Sequence, residues 1–264
     1  MSGSTLIQRM LQKPLLSRCW SLCRPGYHAL LRQTVYRRGT RKRVAGRYEI
    51  RVCFDNRRLQ LADRYQREIP WLLTSVRPDM CILDIGANIG LISIVLGLHV
   101  PQGRVFAFEP SPIPFRCLRE NIRLNHLENT VTPLPFAVGE QPGSIPNEDP
   151  YDTQHSPLRP PGERLTKTVV RCVSVDSFCK EHAVQPDCIK IDVEGYEPYV
   201  LWGAQRTLAQ NRRMILFLEL HPFAWSQIEF NESRFQQLLD DLQLVPDGKD
   251  AFLDPTHVRM VLRR

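Results

Sequence analysis

The chain has no acidic residue before Glu49, no Cys-x-x-Cys pair and no apolar run that would carry it across a bilayer. Its longest apolar stretch, 82–100, is interrupted by Asp84, Asn88, His99 and three glycines, whereas a spanning helix takes about 20 consecutive apolar residues. No transmembrane helix is expected. Arg9, Lys13 and Arg18 break the apolar core that a secretory signal would need, so a cytoplasmic location is expected. The eight cysteines, at 19, 23, 53, 81, 117, 172, 179 and 188, stand singly and several lie in apolar runs. They read as reduced packing residues rather than disulfides or zinc ligands. Also missing are the Gly-x-Ser-x-Gly and His-Glu-x-x-His signatures and the Walker phosphate loop, which excludes the hydrolase and nucleotidase classes they mark.

What is present is an ordinary globular composition, 42% hydrophobic and 24% charged over 264 residues. The formal charge of +7 is unevenly placed. Eleven of the 35 basic residues precede Tyr48, which leaves 24 against 28 acids, a net of −4, for the rest. Residues 1–47 therefore read as a basic N-terminal extension. Leu6, Ile7, Met10 and Leu11 recur at helical spacing, and Leu15, Leu16, Trp20, Tyr27, Leu30 and Leu31 add apolar surface. Such a segment suits peripheral contact with an anionic inner-membrane surface, a helix packed on the domain, or a transit peptide.

From Tyr48 the pattern becomes that of a folded domain, 48–264. Tyr48, Ile50, Val52 and Phe54 alternate with polar neighbours as in a half-buried strand. A helix near 61–76 follows, then strand 80–85, helix 89–99, strand 104–109, helix 112–125 and strand 131–137. This alternation predicts right-handed βαβ units and a parallel sheet. Six prolines in 140–165 predict a loop, either a lid or a disordered segment. A strand around 166–175, a helix at 176–183, a strand at 188–195, a helix at 197–210, a strand at 214–221 and a helix at 231–243 complete the expected α/β pattern.

The chemistry concentrates in "CILDIGANIG" at 81–90. A buried strand that ends in Asp84, Gly86, Asn88 and Gly90 and opens a helix lets a ligand approach bare backbone. Glu109 closes the next strand nineteen residues after Gly90, where an acid can accept from both hydroxyls of a ribose. A dinucleotide fingerprint would have glycine where Asn88 and Leu91 stand. The acid at the turn suits a ligand with a cationic amino group instead. Asp192 and Glu194 end a later strand at the carboxyl edge, and Glu219 and His221 end the one after. All four are candidates for taking the proton of an acceptor. A magnesium ion shared by Asp192, Glu194 and Glu219 is the alternative.

"LDIGANIG", "FEP", "IKIDVEGYE" and "LELH", in this order, resemble the FkbM family of S-adenosylmethionine-dependent methyltransferases over roughly 68–222. The resemblance implies a Rossmann-like class I α/β fold, with a mostly parallel seven-stranded sheet and helices on both faces. It implies O-methylation of a hydroxyl of a sugar, a glycolipid or a glycosylated natural product. It implies that Asp84, Gly86, Asn88 and Gly90 line the methionine and ribose part of S-adenosylmethionine, with Glu109 on the ribose and Ala137 and Val138 near the adenine. The competing readings are a nicotinamide oxidoreductase and an RNA-binding methyltransferase. The net-acidic body argues against nucleic acid as a partner.

Overall fold

The computed structural model describes residues 37–53, 63–147, 168–228 and 230–262, with isolated positions between 23 and 34. Most of the basic amphipathic segment, Phe54 and the stretch 148–165 of the proline-rich loop lie outside the described residues. Among the described residues no helix is long and apolar enough to cross a membrane.

A hairpin of β1 (Thr40–Val44) and β2 (Tyr48–Val52) precedes α1 (Asp63–Leu73), β3 (Cys81–Ile85), α2 (Leu91–His99), β4 (Arg104–Phe108), α3 (Pro112–Leu124) and β5 (Val131–Leu134). Three short strands follow, β6 (Ala137–Val138), β7 (Gly143–Asn147) and β8 (Thr168–Val173). The chain then forms α4 (Val175–His182), β9 (Cys188–Ile191), α5 (Glu197–Trp202), α6 (Gln205–Gln210) and β10 (Ile215–Glu219). It ends with α7 (Pro222–Trp225), α8 (Glu232–Asp241), β11 (Leu244–Pro246) and β12 (His257–Leu262).

Seven strands make the central sheet in the order β11-β12-β10-β9-β3-β4-β5, with β12 antiparallel to both of its neighbours and the other pairs parallel. This is the expected Rossmann-like class I arrangement. From β3 the chain winds one way through β4 and β5, then places β9 and β10 on the other side. The strand order thus reverses at β3, and open α/β sheets bind ligands beyond the carboxyl ends of the strands at such a switch point. Both sheet faces are apolar and covered. Ile82, Phe217, Ile69, Ile94 and Leu118 belong to one buried layer, and Leu83, Ile85, Ile189, Ile191 and Leu216 belong to the other.

Several expectations need correction. The strand read from Tyr48 has a partner that was not expected: "TRKRV" pairs with 48–52 although its charges conceal a strand. The hairpin is docked by two side-chain amides of α3: Asn121 accepts from the Cys53 N–H, and Asn125 accepts from the Arg51 N–H and donates to the Arg51 carbonyl. The strand expected at 131–137 ends at Leu134, before Pro135, which cannot donate to a ladder, and Ala137–Val138 pair instead with β8 in a second sheet. Inside the expected loop, β7 pairs antiparallel with β8. The helix expected at 197–210 breaks at Gly203, where a Cβ would stand 2.1 Å from the Gly139 carbonyl oxygen. Among the described residues, Cys53, Cys117, Cys172, Cys179 and Cys188 are buried free thiols, as packing residues are. Burial, with Asp187 beside it, pushes the Cys81 thiol up to about 11, and burial does the same for Cys179, which leaves little reactive thiolate.

The turn after β3 shows how closely the strand ends approach. Gly86 has φ +83°, and a Cβ there would stand 1.7 Å from the Asp192 carbonyl oxygen; Gly46, at φ +69°, has open space around it. Gly46→Ala should therefore lose only the left-handed strain of about 1–2 kcal/mol, whereas Gly86→Ala should lose more than about 4 kcal/mol. Chemical denaturation of the two variants measures the difference, and equal losses would contradict the close approach.

Candidate active site

Strand register carries five residues to one level at the carboxyl rim. Ile85 pairs with Phe108 and with Ile191, Leu218 pairs with Ile191, and Glu219 pairs with His257. One step further along, Glu109, Gly86, Asp192, Glu219 and His257 form a row across β4, β3, β9, β10 and β12. The apolar strands beneath hold this row in place, so the sheet sets where the ionisable groups stand.

Below the row lies a buried cation. Lys190 Nζ is 3.2 Å from Asp192 Oδ2 and 3.5 Å from Asp84 Oδ1, and it donates to the Gly86 carbonyl at 3.4 Å. Burial works against its charge, but Asp192, Asp84 and Glu68 outweigh that effect and hold Lys190 protonated. Asp84 is fully buried and also accepts from the Ser93 hydroxyl of α2. The Asp84 carboxylate thus faces Lys190 and Ser93.

Glu109 is buried and accepts from two backbone N–H groups, Asn88 at 2.9 Å and Ser111 at 2.7 Å. Asn88 reaches that position at φ +53°, and Gly90 starts α2 from φ +86°. Both Glu109 oxygens are thus held by backbone N–H groups, which fixes the carboxylate at the carboxyl end of β4. A fixed acceptor there, beside a turn with little side-chain bulk, suits the hydroxyls of the ribose of S-adenosylmethionine. Ala137 and Val138 are both buried in β6, which pairs with β8.

The acceptor side centres on a residue the sequence reading did not select. Glu197 is completely buried at the start of α5. It accepts from the Gly195 N–H at 2.9 Å, from Trp225 Nε1 at 3.0 Å and from His221 Nδ1 at 2.9 Å. A carboxylate can only accept, so Nδ1 carries the hydrogen and Nε2 of His221 turns to the rim. There Nε2 lies 3.6 Å from Glu194, 3.7 Å from Glu219 and 3.9 Å from Asp192. Burial alone would lower the His221 pKa; the hydrogen bond and charge of Glu197, with Glu194 and Asp192, raise it.

The four candidate proton acceptors therefore do meet, but not as successive strand positions. β9 stops at Ile191, and Glu194 sits in the following turn at φ +53° with its side chain 64% exposed. Among the described residues, the group whose ligand atoms converge is Asp192, Glu219 and His221, without Glu194. Glu197 was visible as the last residue of "IKIDVEGYE". Sequence spacing could not separate it from an ordinary acid in the first turn of a helix.

Residues 84–263 match the family described as Methyltransferase FkbM domain. The chain is 30% identical over 161 residues to the hexuronic acid methyltransferase AglP of Haloferax volcanii, covering 59% of this chain and 62% of that protein. It is 26% identical over 163 residues to the 2-O-methyltransferase NoeI of Sinorhizobium fredii, covering 56% and 66%. Among solved structures, the methyltransferase FkbM of Methylobacillus flagellatus superposes with a TM-score of 0.47 at 18% identity, over 70% of this chain and 44% of that one.

Glu194 and Glu197 stand three apart and differ completely in setting. Glu197→Ala leaves three buried donors without their acceptor and should destabilise the fold by about 3–5 kcal/mol. Glu194→Ala should change stability by no more than about 0.5 kcal/mol. Urea unfolding of both variants checks this, and a mild Glu197→Ala would show that the buried carboxylate is dispensable.

Proposed function

Since the chain belongs to the family of the methyltransferase FkbM domain, we propose that it transfers the methyl group of S-adenosylmethionine to a hydroxyl of a sugar, a glycolipid or a glycosylated natural product. The names of two relatives, a hexuronic acid methyltransferase and a 2-O-methyltransferase, support a sugar-like acceptor. The family favours neither the nicotinamide reading nor the RNA-binding one. The observation that carries the proposal is the Glu197–His221 pair, a buried carboxylate that aims an imidazole nitrogen at the rim.

When bound, S-adenosylmethionine supplies an electrophilic methyl group on a sulfonium. The chain's share is to hold the cofactor, orient the acceptor and take one proton. Glu109 accepts from the ribose hydroxyls, and the turn 86–90 leaves room for the methionine part. His221 Nε2 takes the proton of the acceptor hydroxyl, while Glu197 keeps the ring in one tautomer and steadies the imidazolium that forms. Asp192 serves less well as the base because Lys190 occupies its Oδ2. With Glu219 it offers acceptor oxygens that can align the other hydroxyls of a sugar. The domain unit is read as starting with the hairpin at Thr40, and the segment before it as an appendage to this site.

Two substitutions test the assignments separately. His221→Gln should lower turnover by roughly 100-fold or more with unchanged binding of S-adenosylhomocysteine. Glu109→Ala should weaken that binding by about 1–3 kcal/mol. Turnover of His221→Gln within a few-fold of the parent would return the base to Asp192, and undiminished cofactor affinity in Glu109→Ala would remove Glu109 from the cofactor site. The test acceptors are uronic acid and neutral glycosides, read by transfer of a labelled methyl group.

A further inference from the structure

At the far end of α3 from the rim lies a cavity of about 530 Å³ lined by Arg37, Arg38, Arg51, Arg123, Leu124 and His126. α3 opens at Ser111, whose N–H is bonded to Glu109, and runs 13 residues to Leu124. At about 1.5 Å per residue the helix carries the chain about 20 Å from the rim. The cavity is therefore separate from the site at the carboxyl edge. We propose that it binds a ligand bearing a diphosphate, or two neighbouring phosphates, through its guanidinium groups.

Three observations support this. The first is the lining, which holds four arginines, no lysine and no acid. The planar fork of a guanidinium bonds phosphate oxygens two at a time, whereas an ammonium acts as a point charge. The second is charge. Glu49, the one acid of the segment 37–53, is taken by Arg41 at 3.3 Å, and Arg41 itself stands directly opposite Arg51 in the hairpin. Arg123 is paired with Glu120 at 2.6 Å and also feels the charge of Glu128. Among the described residues no carboxylate pairs with Arg37, Arg38 or Arg51. The carboxyl end of α3 supplies about half a negative charge, too little to balance three free guanidinium groups. An anion with two or more charges would balance them.

The third observation is that the groups are held in place before any ligand arrives. The side-chain amide of Asn125 bonds both the N–H and the carbonyl of Arg51, and Arg51 Nη1 donates to the Arg38 carbonyl at 2.8 Å. Gly39 has φ +68°, and a Cβ there would stand 2.9 Å from both Leu124 Cδ1 and the Val52 carbonyl oxygen, so the turn carrying Arg37 and Arg38 lies tight against the end of α3. Arg123 donates twice to Glu120. Groups fixed in this way lose less entropy on binding. The volume falls in the range of about 300–1,000 Å³ usual for small-molecule sites, larger than a diphosphate needs. It leaves room for the organic group that carries the phosphates. A nucleoside diphosphate and a lipid headgroup with two phosphates share this chemistry. Nothing in the site depends on the methyl-transfer reading.

The test titrates the full chain with sodium pyrophosphate in a metal-free, phosphate-free buffer and follows the heat of binding. Salt is kept at about 0.15 M, where exposed charges farther apart than about 8 Å are largely screened. One saturable site is expected, with pyrophosphate bound at least about 10-fold tighter than sulfate. Arg37→Gln and Arg38→Gln should each weaken binding by about 5-fold or more, and the double variant by about 20-fold or more. Glu120→Gln removes the carboxylate that competes for Arg123 and should strengthen binding by about 3-fold. Arg212→Gln, on the exposed turn after α6, should leave it within about 2-fold. These side chains are accessible to solvent, and thermal midpoints close to the parent's will show that each variant folds. A nucleoside diphosphate that binds at least about 10-fold tighter than pyrophosphate identifies a soluble nucleotide as the source. Capture by vesicles with a bisphosphorylated headgroup, and not by vesicles of equal charge built from monophosphate lipids, identifies a lipid headgroup. Either result, lost in the double variant, supports the site. Absence of saturable pyrophosphate binding overturns it. So does binding that survives the double variant, which would put the anion elsewhere on the chain, and so does equal affinity for sulfate, which would leave only a solvated basic surface.

Discussion

Everything at the rim depends on one buried ammonium group. Lys190 sits within an ion pair's reach of Asp84 on β3 and Asp192 on its own strand, and it also holds the Gly86 carbonyl. Without that cation the carboxylates at the centre of the sheet would have to take up protons or move apart, since none could stay ionised alone in so dry a place. With it, the ends of β3 and β9 are drawn together so closely that residue 86 has no room for a side chain. The turn after β3 and the end of β9 are therefore one assembly. Asp84, whose position suggests contact with a ligand, belongs to its foundation.

The rim divides at this assembly. On one side, Glu109 is fixed by the backbone of Asn88 and Ser111, a rigid acceptor for hydroxyl groups. On the other, Asp192, Glu219, His221 and His257 form a polar seam with Glu68 on α1 and Glu197 at the start of α5 behind it. Each histidine is steadied at Nδ1 by a carboxylate and presents Nε2 toward Glu219. The hydrogen bond at Nδ1 fixes the orientation of each ring. Trp225 reinforces the arrangement, with its indole on Glu197 and its ring against Phe230 and Phe235.

Much of the framework was legible along the chain. β3, β4 and β9 are short apolar runs ended by turn residues or acids, and the helices between them carry the 3.6-residue period, so their order and the parallel sheet follow from pattern alone. Less legible were elements whose identity depends on partners distant in sequence. β1 is a charged run until it meets β2, β7 contains a proline and exists because β8 lies beside it, and β12 contributes the one antiparallel strand in the parallel core. Gly203 divides a helix that local propensity would continue, because Gly139 packs against it.

The sequence by itself determined the family, the turn that follows β3 and the residue types gathered at strand ends, because periodicity and motif spacing are local properties. Only the tertiary structure decided which of these ionisable groups stand beside one another. Asp84 turns inward to Lys190, 106 positions away in sequence; Glu197 passes from an unremarkable helix start to the partner of His221; and Glu68 and His257 come from opposite ends of the domain to one carboxylate. The physical reason is register. The level of each strand end is set by apolar pairing across the whole sheet, and a buried charge takes its role from whatever that pairing places beside it.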